Sequence, residues 1–158
     1  MWEARQGADP PLATGPGSRE RLRRRLERSG GFHRGRLDLA IEVDGRLVGE
    51  LDARHPPDMF PAGVFELGIS LFAVDDRGKG VGSEAVRLLT AYLFEHLDAE
   101  RVQASTDVDN EAMRRVFHKL GFGAEGVMRA FMPSESGRRD YALYAITRGD
   151  WLKGARAG

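Results

Sequence analysis

The chain contains no cysteine. Disulfides, thiolate metal ligands and a cysteine nucleophile are therefore excluded. This fits a reducing compartment, and the cytoplasm is the expected location. Long apolar runs are also missing, and none approaches the roughly 18 residues of a membrane span. The opening "MWEARQGADPPLATGPGS" has neither the charged start nor the apolar middle of a secretory signal. No membrane association is expected. Net charge is near zero, with 24 Lys+Arg against 24 Asp+Glu, which argues against a dedicated nucleic-acid binder. Lysine is scarce, confined to Lys79, Lys119 and Lys153. His33, His55, His96 and His118 show no metal-ligand spacing, so no metal is expected.

What remains is ordinary for one globular domain of 158 residues. Residues 1–17 are rich in Gly, Pro and Ala and lack an apolar period. They read as a flexible N-terminal segment. Residues 18–158 read as a single domain. Within it, "SRERLRRRLERSGG" is a helix capped by Ser18 and stopped by Gly30–Gly31. Its arginines form either a solvated face or a contact for an acidic partner. "LDLAIEVDGRLVGELDAR" is a hairpin about Asp44-Gly45. "HPPDMFPAG" is a loop, and "VFELGISLFAV" is a long apolar strand, central in a sheet.

A helix over about 80–97 should bury Val81, Ala85, Leu88, Leu89, Tyr92 and Leu93. The strand "RVQASTDV" follows, then the helix of "DNEAMRRVFHKLGF", stopped by Gly121. The strands "FGAEGVMRAFM" and "RRDYALYAITR", joined by "PSESG", complete the chain. The fold class is α/β, a mixed central sheet with flanking helices.

The unusual stretch is "VDDRGKGVGSEAVRLL", with Gly78, Gly80 and Gly82 alternating between a strand and a helix. Glycine there either permits a tight strand-to-helix turn or lets an anion approach backbone N–H groups at a helix N-terminus. The Walker spacing is absent, and no acidic residue ends a strand where a dinucleotide fold needs one.

Arg77-Gly78-Lys79-Gly80-Val81-Gly82 resembles the acyl-CoA pyrophosphate loop of the GNAT N-acetyltransferases. "DNEAMRRVFHKLGF" resembles that family's next motif, with Asn110 opening a helix that ends in Lys119-Leu120-Gly121-Phe122. "GVMRAFM" and "GRRDYALYAI" resemble the last two strands of the ribosomal-protein-alanine N-acetyltransferase branch. The resemblance covers about residues 37–147. It implies acetyl-CoA as co-substrate and direct attack of an amine, with no covalent enzyme intermediate. Backbone groups from Gly78 to Ser83, flanked by Arg77, would hold the pyrophosphate. Phe72 to Val74 would pair with the pantetheine arm, and Asn110 would hydrogen-bond it. Lys119 completes the set expected at the cofactor.

The implied acceptor is a primary amine, either a protein N-terminus or a small cationic molecule such as an antibiotic. A non-catalytic acyl-CoA-binding module is the rival reading. An α-amine has a pKa near 8, so roughly a tenth is neutral at pH 7 and little base help is needed. Glu66, inside the apolar run "VFELGIS", is the candidate base, where apolar neighbours would raise a carboxylate's pKa. Asp107 either attracts a cationic substrate or caps a helix. Relatives place a tyrosine acid where Phe117 stands, and a serine where Met113 stands. The general acid is thus unassigned. Tyr144 reads as a packing residue. The family's first strand is missing or atypical here, and a homodimer would cover the exposed edge. The loops 55–63 and 131–139 are expected to set acceptor specificity.

Overall fold

The computed structural model describes Glu27 and residues 31–157. The expected flexible segment 1–17, and all but Glu27 and Gly31 of the expected helix over 18–31, lie outside the described residues. From Arg36 onward the elements are β1 (Arg36–Val43), β2 (Arg46–Arg54), β3 (Val64–Leu71), a short 3-10 turn (Val74–Asp76), α1 (Val81–His96), β4 (Arg101–Asp107), α2 (Glu111–Lys119), β5 (Gly123–Ser134), β6 (Gly137–Thr147) and α3 (Arg148–Ala157).

Local chemistry sets the boundaries. Asp44 (φ 50°) and Gly45 (φ 72°) both take positive φ, as a two-residue hairpin turn requires. Gly121 (φ 83°) ends α2. α3 is an addition to the elements expected, although its start is written in the sequence. The Thr147 hydroxyl donates to Asp150 Oδ2 at 2.6 Å and accepts from the Asp150 N–H at 3.2 Å. This is a Thr-x-x-Asp capping box. Trp151 then stacks on Phe94 of α1, with ring centroids 5.2 Å apart.

The six strands form one sheet in the order β1-β2-β3-β4-β6-β5. Every pairing is antiparallel except β3 with β4. Among the described residues β1 is the edge strand; the segment where the family's first strand would stand lies outside the described residues.

Phe65 and Leu67 point to the face that carries the helices. Gly82 of α1 lies against Ile69 and Leu71 on that face. Phe117 of α2 stacks on Tyr144, centroids 5.1 Å apart, and Tyr144 pairs in register with Ala104.

The helix stripe expected on α1 is shifted by one flank. Val86, Leu89, Leu93 and Phe94 are buried, whereas Leu88 is 54% exposed and Tyr92 42% exposed. The helix carries two apolar stripes. The one through Gly82, Val86, Leu89 and Leu93 faces the sheet, with Gly82 against Ile69 and Leu71 of β3. The other, through Val81, Ala85, Leu88 and Tyr92, lines a cavity of about 780 Å³ shared with Leu37, Leu39 and Ile41 of β1. No helix among the described residues is long and apolar enough to cross a membrane.

Candidate active site

The sheet has a gap at its centre. β3 and β4 pair only over Val64–Leu67 and Arg101–Ala104. Beyond Leu67, β3 continues beside β2 to Leu71, and beyond Ala104, β4 continues beside β6 to Asp107. Two half-strands therefore face each other across an opening. Phe72 donates its N–H to the Val48 carbonyl at 2.9 Å. Hydrogen-bonded and non-bonded positions alternate along an antiparallel pair. Phe72, Ser70 and Gly68 thus turn their backbone groups to β2, and Leu71 and Ile69 turn theirs to the opening. Of the segment expected at the pantetheine arm, Phe72 thus faces β2, and the two strand residues before it with free-facing backbone are Leu71 and Ile69. Val74 is in the 3-10 turn, not in the strand, and its carbonyl accepts the Arg77 N–H at 3.0 Å.

The glycine loop heads this opening. Gly78 (φ 73°) and Gly80 (φ 84°) are left-handed, and an added Cβ at either meets nothing within 4 Å. Their role is conformational, and the space beside them is free for a ligand. Gly80 is the N-cap of α1 and supplies no side-chain cap. The first N–H groups of the helix, from Val81 to Ser83, have no intrahelical carbonyl to bond. Those donors and the helix dipole favour an anion such as a diphosphate.

Gly82 differs, since its φ is not positive and a Cβ there would make ordinary contacts at 3.6 and 3.8 Å. Gly82→Ala should therefore leave thermal stability unchanged or raise it, by up to about 1 kcal/mol from helix propensity. A melting curve checks this.

The loop is tied to the β1–β2 hairpin. Arg46 donates from Nη2 to Asp76 Oδ1 at 2.6 Å and from Nη1 to Oδ2 at 3.1 Å. The bond from Arg46 holds the Asp76 carboxyl below the usual carboxylate range, and Lys79 adds to the effect. A lowered pKa means this carboxylate's stabilising contribution is complete above its unfolded value, near 4. It is lost only as pH falls further, through the folded value.

Asn110 caps α2, its Oδ1 accepting the Met113 N–H at 3.1 Å. Its amide NH₂ is not part of that bond and is available as a donor. Asn110→Asp should keep the cap and the melting temperature and, under the cofactor role that the resemblance implies for Asn110, weaken acetyl-CoA binding. Calorimetry beside a melting curve separates the two effects. Lys119 ends α2 close enough to α1 for its charge to act on Glu84, whose carboxyl is lowered first by its bond from Arg87.

Glu66 lies on the opposite face, one residue before β3 and β4 part. Its surroundings are not the apolar ones expected. The strand register aligns Arg54, Glu66 and Gln103 in a row. Oε1 lies 2.9 Å from Arg54 Nη2, and Oε2 accepts from Gln103 Nε2 at 3.2 Å. The side chain is 25% exposed.

Asp107 is a local structural residue. Its Oδ1 accepts the Asp109 N–H at 2.8 Å, and Arg139 pairs with its Oδ2. Tyr144 is buried and its hydroxyl accepts from Arg114 Nε at 3.1 Å, so it packs as expected. Of the two expected specificity loops, the β5–β6 turn lies at the open end, because Tyr141 pairs with Asp107. The 55–63 loop lies at the closed end, where Gly63 bonds Glu100 and Arg101 and His55 Nδ1 meets the Val64 carbonyl at 2.7 Å.

Residues 3–123 match the Acetyltransferase (GNAT) domain family. The chain is 33% identical over 115 residues to the Bacillus subtilis (strain 168) protein named "Putative ribosomal N-acetyltransferase YdaF", covering 73% of this chain and 61% of that one. Among solved structures it is similar to a "putative acetyltransferase from T. thermophilus", with 31% identity, TM-score 0.70, and coverage of 89% and 70%. It is also similar to Mycobacterium smegmatis RimJ, solved in complex with CoA-disulfide, with 26% identity, TM-score 0.65, and coverage of 72% and 54%. The chain thus spans less than two thirds of YdaF and about half of RimJ. The family match extends across the glycine loop and α2, where the geometry had already placed an anion cradle beside a sheet opening, and the chain belongs to the acetyltransferase (GNAT) domain family.

Proposed function

We propose that the protein transfers an acetyl group from acetyl-CoA to a primary amine, and that the acceptor is a protein N-terminal α-amine. The observation that carries the first part is the opening between β3 and β4, headed by the glycine loop at the uncapped start of α1. An extended pantetheine arm would hydrogen-bond Leu71 and Ile69 as an added strand does. The Asn110 amide would hold it from the other side, and the N–H groups from Gly78 to Ser83 would take the diphosphate. These residues act by positioning, which brings the thioester within reach of an amine.

Glu66 would accept the amine's proton, directly or through a water, from the apex where the strands part. The amine nitrogen bonds to the thioester carbonyl carbon, the carbon–sulfur bond breaks, and the CoA thiolate takes its proton from water. An α-amine suits this site. It needs little deprotonation at neutral pH, and the Glu66 oxygens are already shared with Arg54 and Gln103. The name of YdaF, a ribosomal N-acetyltransferase, is in keeping with a protein acceptor.

The test is CoA release with purified protein against a panel of N-terminal peptides, polyamines and aminoglycosides. Turnover confined to peptides with free α-amines is expected. Turnover confined to polyamines or aminoglycosides would replace the α-amine with a small cationic acceptor. Tight acetyl-CoA binding with no amine-dependent release would identify a binding module.

A further inference from the structure

Arg46 opens β2, immediately after the Asp44-Gly45 turn. Antiparallel pairing carries the start of β2 past the end of β3, since Gly49 lies opposite Leu71 and Val48 receives the Phe72 N–H. The next two residues along β2's outward direction reach the 3-10 turn, and there the Arg46 guanidinium grips both oxygens of Asp76. Asp76 is 6% exposed and directly precedes Arg77-Gly78. The Arg46 side chain is 61% exposed, so its main engagement is this fork, not packing.

Two consequences follow. Gly78 and Gly80 bring no side chains to anchor the loop, and open space surrounds them. An anchor beside them sets the direction in which the loop's N–H groups point. Second, a carboxylate next to a diphosphate cradle repels the ligand unless a cation offsets it. Arg46 does both, by a bidentate geometry that lysine cannot reproduce.

We propose that Arg46 and Asp76 are positioning residues for the diphosphate of acetyl-CoA, clamping the glycine loop to the β1–β2 hairpin. This rests on the acetyl-CoA reading given above. Arg46 touches no reacting atom in this account. Its effect passes through Asp76 to the loop, and is confined to the diphosphate end of the cofactor.

The test compares Arg46→Met, which keeps the aliphatic stem, with Arg46→Lys and the wild type. KM is measured for acetyl-CoA and for S-acetylpantetheine, which lacks the diphosphate. Hydrogen exchange of the amides over 77–83 is followed in the ligand-free proteins. In Arg46→Met, KM for acetyl-CoA should rise by up to about fivefold, with kcat and the KM for S-acetylpantetheine unchanged. Exchange at Arg77, whose N–H bonds the Val74 carbonyl at 3.0 Å, should quicken. Arg46→Lys should restore part of the loss. Equal changes for both substrates would show a general structural role and overturn the proposal, and so would unchanged exchange at Arg77. Failure of the wild type to bind acetyl-CoA would instead overturn the acetyl-CoA reading, and the proposal with it, whatever the exchange data show.

Discussion

Gly80→Trp should abolish acetyl-CoA binding while leaving the fold in place. Gly80 has φ 84° and its Cβ direction is empty for at least 4 Å. An indole there starts from a Cβ with no protein atom within 4 Å and enters the space a diphosphate would occupy. The backbone cost of a side chain in the left-handed region is about 1–2 kcal/mol, which a domain of this size tolerates. The ligand loses more. Each charge-assisted bond is worth about 1.5–3 kcal/mol, and displacing two of them weakens binding by at least about 100-fold. Titration calorimetry reads this directly. Gly80→Ala is the control, carrying the same backbone strain without the bulk, and it should retain most of the affinity. Equal affinity of Gly80→Trp and wild type would mean that the loop is only a turn between β3 and α1.

The second large effect is expected at Glu66. Glu66→Gln preserves length and can still bond Gln103, but it cannot take a proton. General-base contributions run from about 10²- to 10⁴-fold. Because an α-amine is already partly neutral, the loss in kcat should fall at the lower end, about 100-fold, with KM for acetyl-CoA unchanged. The deficit should shrink as pH rises toward the amine's own pKa, since a neutral nucleophile needs no base. A kcat that matches in wild type and variant from about pH 6.5 to about pH 9, either side of the α-amine pKa, would remove Glu66 from the chemistry. Arg54 complicates a simple reading, because Glu66→Gln also leaves that guanidinium without its Glu66 partner. Arg54→Met measured alongside isolates that part.

What the sequence disclosed was mostly local. The Asp44-Gly45 turn, the Gly121 stop, the Asn110 cap and the glycine loop each depend on residues within a few positions of one another, and each stands where expected. The capping box of Thr147 and Asp150 is equally local, and reading past it costs a helix. The differences that no local rule corrects come from register. Glu66 meets Arg54 and Gln103 because β2 and β4 align them across the sheet, and nothing near Glu66 in the chain announces either. The two apolar stripes of α1 are indistinguishable by periodicity. The choice between them is made by which stripe meets β3, where Gly82 lies against Ile69 and Leu71. Arg46 and Asp76 are 30 residues apart, and their meeting follows from where one hairpin ends.

The short parallel seam has a mechanical consequence. Three strands lie on each side of it, and only Val64–Leu67 against Arg101–Ala104 joins them edge to edge. The sheet is in effect two panels on a short hinge, with α1 as the strap across them. A cofactor arm lying in the gap would bond both panels and act as a splint. Binding should therefore register as resistance to prising the panels apart. At a hundredfold excess over Kd the gain is about 2.7 kcal/mol, and hydrogen exchange should show it at Gly68–Leu71 and Ser105–Asp107, far from the diphosphate that anchors the ligand.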